Sequence, residues 1–569
     1  MNLTRRAWMG AAGATALAAP ALAAAQSRAI DGPKAGFQTV APGAHDYRAA
    51  LEALADYAHR EITQLGLPGM TLSVTDAEGF TAVLTLGFAD LETREPIRPD
   101  HLFEIGSISK SFLALTILSL ADEGKIDLGA PIARYLPGAP LPAESVSVLQ
   151  LLSHTGGLPD AAPIFPRVPD GRLWTGFTPG SKFSYSNTGY HLLGAAVEQV
   201  TGLSHQEAIL RQVRARLGVA DIAGDINAAS RTRFPKAYIA ADQSLAAELP
   251  GTAMGEAKWD PETTPAGCIA ATGEMMARYL RRLLDLGAGR GAPVLSDASA
   301  RRFVTPVAAA TDFGPGAQYA LGVALQPVDG VPCLHHTGGM VAFASSFHAD
   351  PAAGVGAFAS VNGRLGGYRP RQTTAYAISL MRAVRTGGAL PAAPDPWSSS
   401  RINNPPPLFG RYMAADGRSF SLTAGPDFPV FAAVGDSEPL YRAGGGLATP
   451  HPLFARHSLD PVMENGQAAA FWWGETLFGR DKSAAQPAAP ERLRALAGLY
   501  LNRDPWIGSA TVVARGETLV LEGAGTITNR GDWWALDKDA GGVERFRFDG
   551  MLGGQATRLN ASGLDLERL

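Results

Sequence analysis

Hydrophobic residues follow first a helical and then a strand period in the early part of the chain. Apolar side chains recur at helical spacing over residues 47–64, so this segment predicts a helix. Two β-rich runs follow at 70–75 and 80–86, and the polar turn at 76–79 between them indicates a hairpin. We therefore expect one helix followed by a pair of antiparallel strands.

A long apolar stretch begins near Ser107 and runs to about Glu123. Gly124 follows it, and glycine is a common residue just after the end of a helix. Because the stretch is apolar on nearly every side, it predicts a helix that is buried against a sheet.

Four β-rich runs separated by short turns appear much later in the chain. The runs are 319–325, 333–336, 342–349 and 354–361, and a last helical segment follows at 373–384. Short turns join antiparallel neighbours. Two strands, a helical middle, a meander and a final helix therefore predict an α+β domain, in which an antiparallel sheet is flanked by helices.

Two segments rich in proline, glycine and small residues divide the rest of the chain. Residues 387–407 and 482–491 cannot build a packed element and are predicted to be linkers. Each linker is followed by an L-x-G-x-Y pattern, at Leu408 and Leu496, which indicates a duplicated unit. Frequent glycine turns favour two small C-terminal antiparallel β-barrel-like domains. The predicted domains are 40–386, 408–481 and 492–569.

The N-terminal segment 1–25 has the parts of an export signal. A basic start with Arg5 and Arg6 precedes a short apolar middle and a small-residue cleavage site that ends at Ala25. The paired arginines resemble the twin-arginine type of signal. We therefore expect an exported protein, periplasmic or secreted, whose mature chain starts near Gln26.

The net charge and the hydropathy of the chain indicate which kinds of partner are disfavoured. A net charge of −4 disfavours nucleic acid and anionic membranes as partners. Beyond the N-terminal segment, no apolar run is long enough to cross a bilayer. We expect a small-molecule or peptide substrate, and the oligomeric state stays open.

Cysteine content and motifs argue against a metal or a nucleotide. Cys268 and Cys333 are the only cysteines, which leaves no disulfide framework and no four-ligand zinc set. Two buried free thiols are a better expectation than one bridge between them. The H-E-x-x-H motif and glycine-rich phosphate loops do not occur, so no cofactor is expected.

Ser107 and Lys110 form a candidate nucleophile and base at the start of the apolar stretch. A helix that starts near Ser107 puts Lys110 one turn further on and on the same face. An ammonium in an apolar site beside the positive end of a helix has a lowered pKa, so it can accept the serine proton. The Ser-x-x-Lys spacing alone is weak evidence, because a chain with many serines produces it by chance.

A Tyr-x-Asn motif at Tyr185 and Asn187 fits the same chemistry. A phenol close to a lysine ammonium can ionise and shuttle a proton between the serine and a leaving group. The amide of Asn187 can bond a substrate amide. The competing interpretation of Tyr185 is a buried tyrosine that is hydrogen-bonded for structural reasons.

The run 336–339, His-Thr-Gly-Gly, follows a predicted strand. Because side chains alternate on a strand, His336 faces opposite to His335. The two glycines would let a substrate lie close to the backbone, whose N–H groups could bind an oxyanion. A second His-Thr-Gly-Gly begins at His154, before a loop without a strand pattern. We therefore assign His336 to the site and His154 to a structural or loop-anchoring role.

Taken in order, these motifs resemble the superfamily of serine β-lactamases, penicillin-binding proteins and D-aminopeptidases. Its pattern is Ser-x-x-Lys, then Tyr-x-Asn, then Lys/His-x-Gly. The resemblance covers roughly residues 47–384. Further stretches that are similar to this family lie at 122–128, 135–137, 152–158, 185–194 and 265–267.

The resemblance implies a role for each matched residue. Ser107 would be the acylated nucleophile, Lys110 its proton partner and Tyr185 an acid/base shuttle. Whether Lys110 or Tyr185 is the base stays open. The implied substrate-binding residues are Asn187, His336, Thr337 and Gly338, and the implied oxyanion hole consists of the backbone N–H groups of Ser107 and Gly339.

One position departs from the β-lactamase pattern. Typical β-lactamases have Lys where this chain has His336, and a mostly neutral imidazole attracts a penicillin carboxylate less than a fixed cation does. The His-x-Gly form with two C-terminal β-domains looks more like D-aminopeptidases and related esterases or amidases. In those enzymes, by resemblance, a loop from a C-terminal barrel reaches toward the active site.

The expected function is that of an exported serine hydrolase. It would cleave a small amide, peptide or ester through an acyl-serine intermediate, and a substrate with a D-configured residue is one class that the resemblance implies. The alternatives are a β-lactamase or DD-peptidase, and a non-catalytic binding or sensor protein that has kept the fold.

Overall fold

A computed structural model describes most of the chain from residue 34 onward. The described ranges are 34–143, 145–219, 222–223, 226–242, 244–259, 261, 264–443, 445–504, 508–539 and 541–569. The predicted export signal at 1–25 lies outside these ranges. None of the helices within them combines the length and the apolarity that a bilayer crossing needs.

The α-helices lie mainly in the first part of the chain. In order they are α1 (Arg48–Leu65), α2 (Ser109–Asp122), α3 (Val148–Leu152), α4 (Asn187–Thr201), α5 (His205–Ile209), α6 (Ala215–Leu217), α7 (Gly273–Gly287), α8 (Asp297–Val304), α9 (Arg371–Thr386) and α10 (Glu491–Arg494). A 3₁₀ turn at Gly106–Ile108 leads into α2, and a π-helical turn at Leu210–Arg214 joins α5 to α6.

A large antiparallel sheet forms the centre of the first domain. The strands of this domain are β1 (Gln38–Ala41), β2 (Gly69–Asp76), β3 (Thr81–Asp90), β4 (Glu95–Pro96), β5 (Phe103–Glu104), β6 (Tyr238–Ala240), β7 (Met254–Glu256), β8 (Ala270–Ala271), β9 (Ala308–Ala309), β10 (Gln318–Tyr319), β11 (Ala324–Val328), β12 (Val331–Gly339), β13 (Ala344–Asp350) and β14 (Val355–Val361). The order in the large sheet is β1-β3-β2-β14-β13-β12-β11-β10-β9, with β4 beside β3. Two small sheets pair β5 with β8 and β6 with β7.

Helices cover both faces of this sheet. On one face α1 and α9 share a hydrophobic cluster with β2 and β14, while on the other face α2 and α7 build a second, larger cluster. Every residue of β2, β13 and β14 is buried, as expected for strands between two helical layers. The predicted α+β class is confirmed. The α2 helix is also buried from Ser109 to Leu120, as its all-round apolarity predicts.

The predicted strand 319–325 is two strands, β10 and β11, with a turn between them. Gly322 lies in this turn with a φ of +76°. A Cβ there would lie 2.7 Å from the Ala114 Cβ and 2.9 Å from the Lys110 carbonyl oxygen. The chain therefore turns where α2 comes closest to the sheet, and apolar residue type alone does not reveal this long-range contact.

The two C-terminal units are both antiparallel meanders. The first contains β15 (Gly410–Met413), β16 (Ser419–Thr423), β17 (Val430–Ala433), β18 (Asp436–Pro439), β19 (Tyr441–Ala443), β20 (Gly446–Ala448), β21 (Leu459–Glu464), β22 (Gln467–Trp473) and β23 (Thr476–Arg480). The second contains β24 (Gly498–Leu501), β25 (Ser509–Arg515), β26 (Thr518–Leu521), β27 (Gly525–Asn529), β28 (Trp534–Leu536), β29 (Phe546–Leu552), β30 (Gln555–Ala561) and β31 (Leu564–Arg568). The second unit is a closed barrel, whereas the first follows the order β18-β17-β16-β15-β23-β22-β21-β20-β19.

The repeated L-x-G-x-Y pattern has the same local structure in both units. Tyr412 on β15 and Tyr500 on β24 are fully buried. Each phenol donates a hydrogen bond of 2.7 Å to the backbone oxygen of the leucine four residues earlier, Leu408 or Leu496. In both units the first strand also pairs with the second strand and with the last strand.

We expect Tyr412→Phe and Tyr500→Phe to destabilise their own units by similar amounts. Each change removes one hydrogen bond to a backbone oxygen, which costs about 1 kcal/mol. Calorimetry of the two variants should show a lowered transition for the unit that carries the change. Equal melting of the wild type and both variants would contradict a structural role for the repeated tyrosine.

Candidate active site

The amine of Lys110 lies next to the hydroxyl of Ser107. Ser107 sits in the 3₁₀ turn before α2 and Lys110 in the first turn of α2, so the predicted one-turn separation holds although the α-helix itself starts at Ser109. Lys110 Nζ lies 2.9 Å from Ser107 Oγ. It also lies 2.6 Å from Asn187 Oδ1 and 2.9 Å from the Ala266 carbonyl oxygen. All three protons of an ammonium therefore have an acceptor.

Burial controls the protonation of Lys110. The side chain is fully buried among the apolar residues of α2 and its neighbours. Desolvation lowers the pKa of Lys110 to about 7, and the charge of Asp160 opposes this change in part. A neutral amine can keep donating to Asn187 and Ala266 and turn its lone pair toward the Ser107 hydroxyl proton.

Tyr185 lies on a loop that His154 holds in place. The His154 carbonyl accepts the Ser184 N–H at 2.8 Å, and its Nδ1 accepts the Ser186 N–H at 3.0 Å. The two rings of His154 and Tyr185 lie 4.3 Å apart between centroids. His154 therefore has the loop-anchoring contacts that were expected of it.

The phenol ring of Tyr185 lies beside the amine of Lys110, with 5.0 Å between the ring centroid and Lys110 Nζ. Burial raises the pKa of Tyr185 above its ordinary value, although an interaction with the Ser107 side chain acts in the opposite direction. The phenol is therefore in its neutral, proton-donating form near neutral pH.

Asn187 begins α4 and is held by Asp160. Asp160 Oδ1 accepts both the Asn187 backbone N–H at 3.1 Å and the Asn187 side-chain Nδ2–H at 2.9 Å. This arrangement leaves Asn187 Oδ1 to accept from Lys110. The sequence does not reveal Asp160, because nothing in the motif links it to an asparagine 27 positions away. The role of the Ala266 carbonyl is not evident from the sequence either, although 265–267 is among the family-like stretches.

The end of β12 approaches the Ser107 turn through glycine. A Cβ on Gly338 would lie 1.8 Å from the Ile105 carbonyl oxygen, and a Cβ on Gly106 would lie 2.7 Å from the Gly339 nitrogen. Pairing between β11 and β12 ends at His335, so among the described residues 336–339 has no strand partner on the β11 side. N–H groups alternate between the two edges of a strand, and Met340 N donates toward β13, to Phe343 O. The Gly339 N–H therefore points to the unpaired edge.

His336 faces the candidate site but uses both ring nitrogens within the protein. Its Nδ1–H donates to the Thr337 carbonyl oxygen at 2.6 Å, so Nε2 accepts the Tyr319 hydroxyl at 3.0 Å. Burial and the charge of Lys110 lower the pKa of His336 to about 3. The imidazole is neutral, and its predicted contact with substrate stays a prediction, as does that of the half-buried Thr337.

Arg369 is a further cation beside this strand end. A Cβ on Gly339 would lie 2.1 Å from Arg369 Nη2, so the guanidinium rests directly on the backbone there. The positive charge of Arg369 lowers the pKa of Tyr185, but burial has a larger effect in the opposite direction. Arg369 also lines a cavity of about 290 Å³ together with Glu248 and Arg364. No motif marks Arg369 in the sequence.

Both cysteines are buried and free, as expected. Within the described ranges, no three His, Cys, Asp or Glu side chains come together in a way that could hold a metal ion. The described arrangement brings together a serine, an amine, a phenol and the end of β12.

Comparison with known proteins agrees with this fold. The sequence model of the Beta-lactamase family matches residues 48–380. Penicillin-binding protein 4 of Amycolatopsis lactamdurans is 27% identical over 386 residues, which are 62% of this chain and 95% of that protein. A Beta-lactamase of Escherichia coli is 30% identical over 177 residues, which are 29% of this chain and 47% of that protein.

A solved structure shares the fold. The penicillin-binding protein homologue from Pyrococcus abyssi superposes with a TM-score of 0.54 at 20% identity, over 75% of this chain and 98% of that chain. Because the family model covers more than half of the chain, this protein belongs to the beta-lactamase family of serine hydrolases. The resemblance inferred from the three motifs is confirmed.

We expect Gly338→Ala to slow the acylation of Ser107. The new Cβ would force the end of β12 away from the Ser107 turn, which removes the Gly339 N–H from the site; losing one such donor costs roughly a hundredfold in rate. The rate at which a fluorophosphonate labels Ser107, followed by intact mass, measures the effect. Gly388→Ala is the control, because a Cβ there meets nothing closer than 3.5 Å. Wild-type labelling of a folded Gly338→Ala variant would contradict the expected role of this contact.

Proposed function

We propose that this protein is an exported serine hydrolase that cleaves a small amide, peptide or ester through an acyl-Ser107 intermediate. The observation that carries the proposal is the hydrogen bond between Ser107 Oγ and the buried amine of Lys110. A desolvated amine with a pKa near neutrality can take the serine proton, which an ordinary lysine cannot do at that pH.

The reaction follows from the protonation states of the two candidate bases. Neutral Lys110 takes the Ser107 proton while Oγ attacks the substrate carbonyl carbon. The N–H groups of Ser107 and Gly339 stabilise the oxyanion. Tyr185 gives its phenol proton to the leaving group and receives one from the Lys110 ammonium. Water then attacks the acyl-enzyme and releases the acid. The raised pKa of Tyr185 favours Lys110 as the base.

The neutral state of His336 favours some classes of substrate over others. A β-lactam carboxylate finds no fixed cation at this position, because burial keeps the pKa of His336 low. This favours amides, short peptides and esters, including D-configured aminoacyl substrates of the kind that D-aminopeptidases cleave. Asn187 and the unpaired edge of β12 would orient the substrate amide.

A β-lactamase or DD-peptidase is the second candidate, and Arg369 is the observation that favours it. Its guanidinium lies against Gly339 and supplies a cation near the place where the typical lysine is missing. The names of the relatives, a penicillin-binding protein and a Beta-lactamase, agree with this alternative. Nitrocefin and a D-alanyl-D-alanine peptide therefore belong in the substrate panel.

We expect the purified protein to hydrolyse members of a panel of D- and L-aminoacyl anilides and short-chain aryl esters. Ser107→Ala should lower kcat/KM by at least about a thousandfold, because no other group can form the acyl bond. Ser109→Ala is a matched control, since Ser109 lies two positions away and its hydroxyl bonds the Ile269 N–H instead. An unchanged rate in Ser107→Ala, or no turnover of any panel member, would disprove the proposal.

The pH dependence should report the amine of Lys110. Its lowered pKa means that the base is protonated and inactive below about pH 7 and neutral above it, so kcat/KM should rise with pH and level off above about pH 8. The raised pKa of Tyr185 predicts no further rise from phenolate formation in the mildly alkaline range. Rates of an aryl ester between about pH 5 and about pH 9 test this. A profile that keeps rising throughout would make Tyr185 the base.

A further inference from the structure

A line of hydrogen bonds runs from the C-terminal barrel to the amine of Lys110. Lys110 Nζ donates to Asn187 Oδ1 at 2.6 Å, and Asn187 Nδ2 donates to Asp160 Oδ1 at 2.9 Å. The backbone N–H of Asp160 donates to Glu544 Oε1 at 2.6 Å. Glu544 belongs to the segment between β28 and β29, 384 positions further along the chain. The carboxylates of Asp160 and Glu544 are therefore both linked to the amine, Asp160 through Asn187 and Glu544 through the backbone N–H of Asp160.

The Glu544 segment is firmly docked on the loop that carries Asp160. Trp174 Nε1–H lies 3.2 Å from the Gly542 carbonyl oxygen and 3.0 Å from that of Val543. The guanidinium of Arg545 packs over the ring of Trp174, with 4.8 Å between its carbon and the ring centroid. A Cβ on Gly176 would lie 2.5 Å from the Val543 nitrogen, so the two backbones are in direct contact.

Glu544 is itself held in one orientation. The Ser562 hydroxyl donates to Oε2, and the Glu544 N–H donates to Asp539 Oδ2 at 3.0 Å. Burial raises the pKa of Glu544, the hydrogen bonds from Ser562 and from the Asp160 N–H lower it in part, and the charges of Asp160 and Asp539 raise it. Burial likewise raises the pKa of Asp160, whereas Lys110 and the bonds to Asn187 lower it. The two acids therefore disfavour each other's ionisation, and only Asp160 is offset by the lysine.

We propose that Asp160 and Glu544 are positioning residues for Lys110: they hold Asn187 against the amine, and their charges set the pH range in which the amine takes the Ser107 proton. This inference rests on the proposed function. It gives the C-terminal barrel a part in the chemistry, because Glu544 acts on Lys110 through Asp160 without reaching the substrate.

The other titratable and charged groups around Lys110 have pKa effects of known direction. Burial, together with the charge of Lys110, lowers the pKa values of His154, His191 and His336, which are therefore neutral neighbours. Asp160 and Arg369 act on Tyr185 with opposite signs. Asp160 is the charged group that raises the pKa of Lys110. Removing its charge should thus make the amine easier to deprotonate.

The two carboxylates should shift the protonation midpoint of Lys110 in opposite directions. Asp160→Asn keeps an oxygen acceptor for Asn187 but removes the charge, so the midpoint should fall by roughly one pH unit. Glu544→Gln keeps an acceptor for the Asp160 N–H and relieves the repulsion, so Asp160 ionises more fully and the midpoint should rise. In the double variant the effect of Glu544→Gln should disappear, because its route through Asp160 is gone.

The midpoint can be measured without turnover. The protein has eight lysines, so ¹³C labelling of the lysine ε-carbon gives a small set of resonances. The Lys110 signal is the one that Lys110→Met lacks, and its pH titration reports the amine directly. The pH profile of kcat/KM in the same variants is the second readout. Glu517→Gln is the control, because Glu517 is an exposed carboxylate on the same barrel, paired with Arg492 at 2.6 Å.

Opposite shifts in the two single variants and no added shift in the double variant support the proposal. An unchanged Lys110 midpoint in a folded Asp160→Asn variant overturns it, even if activity falls, since that result describes a structural role alone. If Asp160→Asn does not fold, a Glu544→Gln midpoint equal to wild type overturns it. If the protein shows no hydrolase activity but the Lys110 midpoint still shifts as expected, the proposed function is refuted. The coupling of Asp160 and Glu544 to Lys110 is then still supported.

Discussion

The buried amine of Lys110 is the constraint on which the site depends. An ammonium in an apolar interior is costly unless each of its protons finds an acceptor. Here the acceptors come from the Ser107 turn, from the start of α4 and from the segment before β8. The same three bonds that satisfy the charge also bring the nucleophile, the asparagine and a distant backbone carbonyl to one point. The packing of the first domain and the chemistry at Ser107 therefore depend on the same three hydrogen bonds.

Sequence patterns predicted the parts of the fold that local residue order determines. The buried α2 helix, the β2–β3 hairpin and the β12–β14 meander follow from periodicity and turns, and the Ser107–Lys110 contact follows from the pitch of one helical turn. The edge strands β1 and β9 have four and two residues, too few for a period to be read. The break at Gly322 depends on how closely α2 packs, which no local window contains.

The residues of the candidate site also fall into two groups, those that a short motif reveals and those that only the fold brings to the site. Ser107, Lys110, Tyr185 and Asn187 lie in short motifs and could be found from them. Asp160, Ala266 and Arg369 become part of the site only through the fold. Their neighbours at the site come from other elements, and an aspartate after a proline or an arginine before a helix has no distinctive pattern. The neutral state of His336 likewise depends on burial that composition does not show.

Glycine removes side chains from the contact between the Ser107 turn and the end of β12. An added Cβ would lie 2.7 Å from the Gly339 nitrogen at Gly106 and 1.8 Å from the Ile105 carbonyl oxygen at Gly338. This contact is therefore made of main chain, and no larger residue fits at either position. The backbone next to the nucleophile is thus closed to evolutionary variation in residue type, and any divergence in substrate preference has to arise at other positions around Ser107.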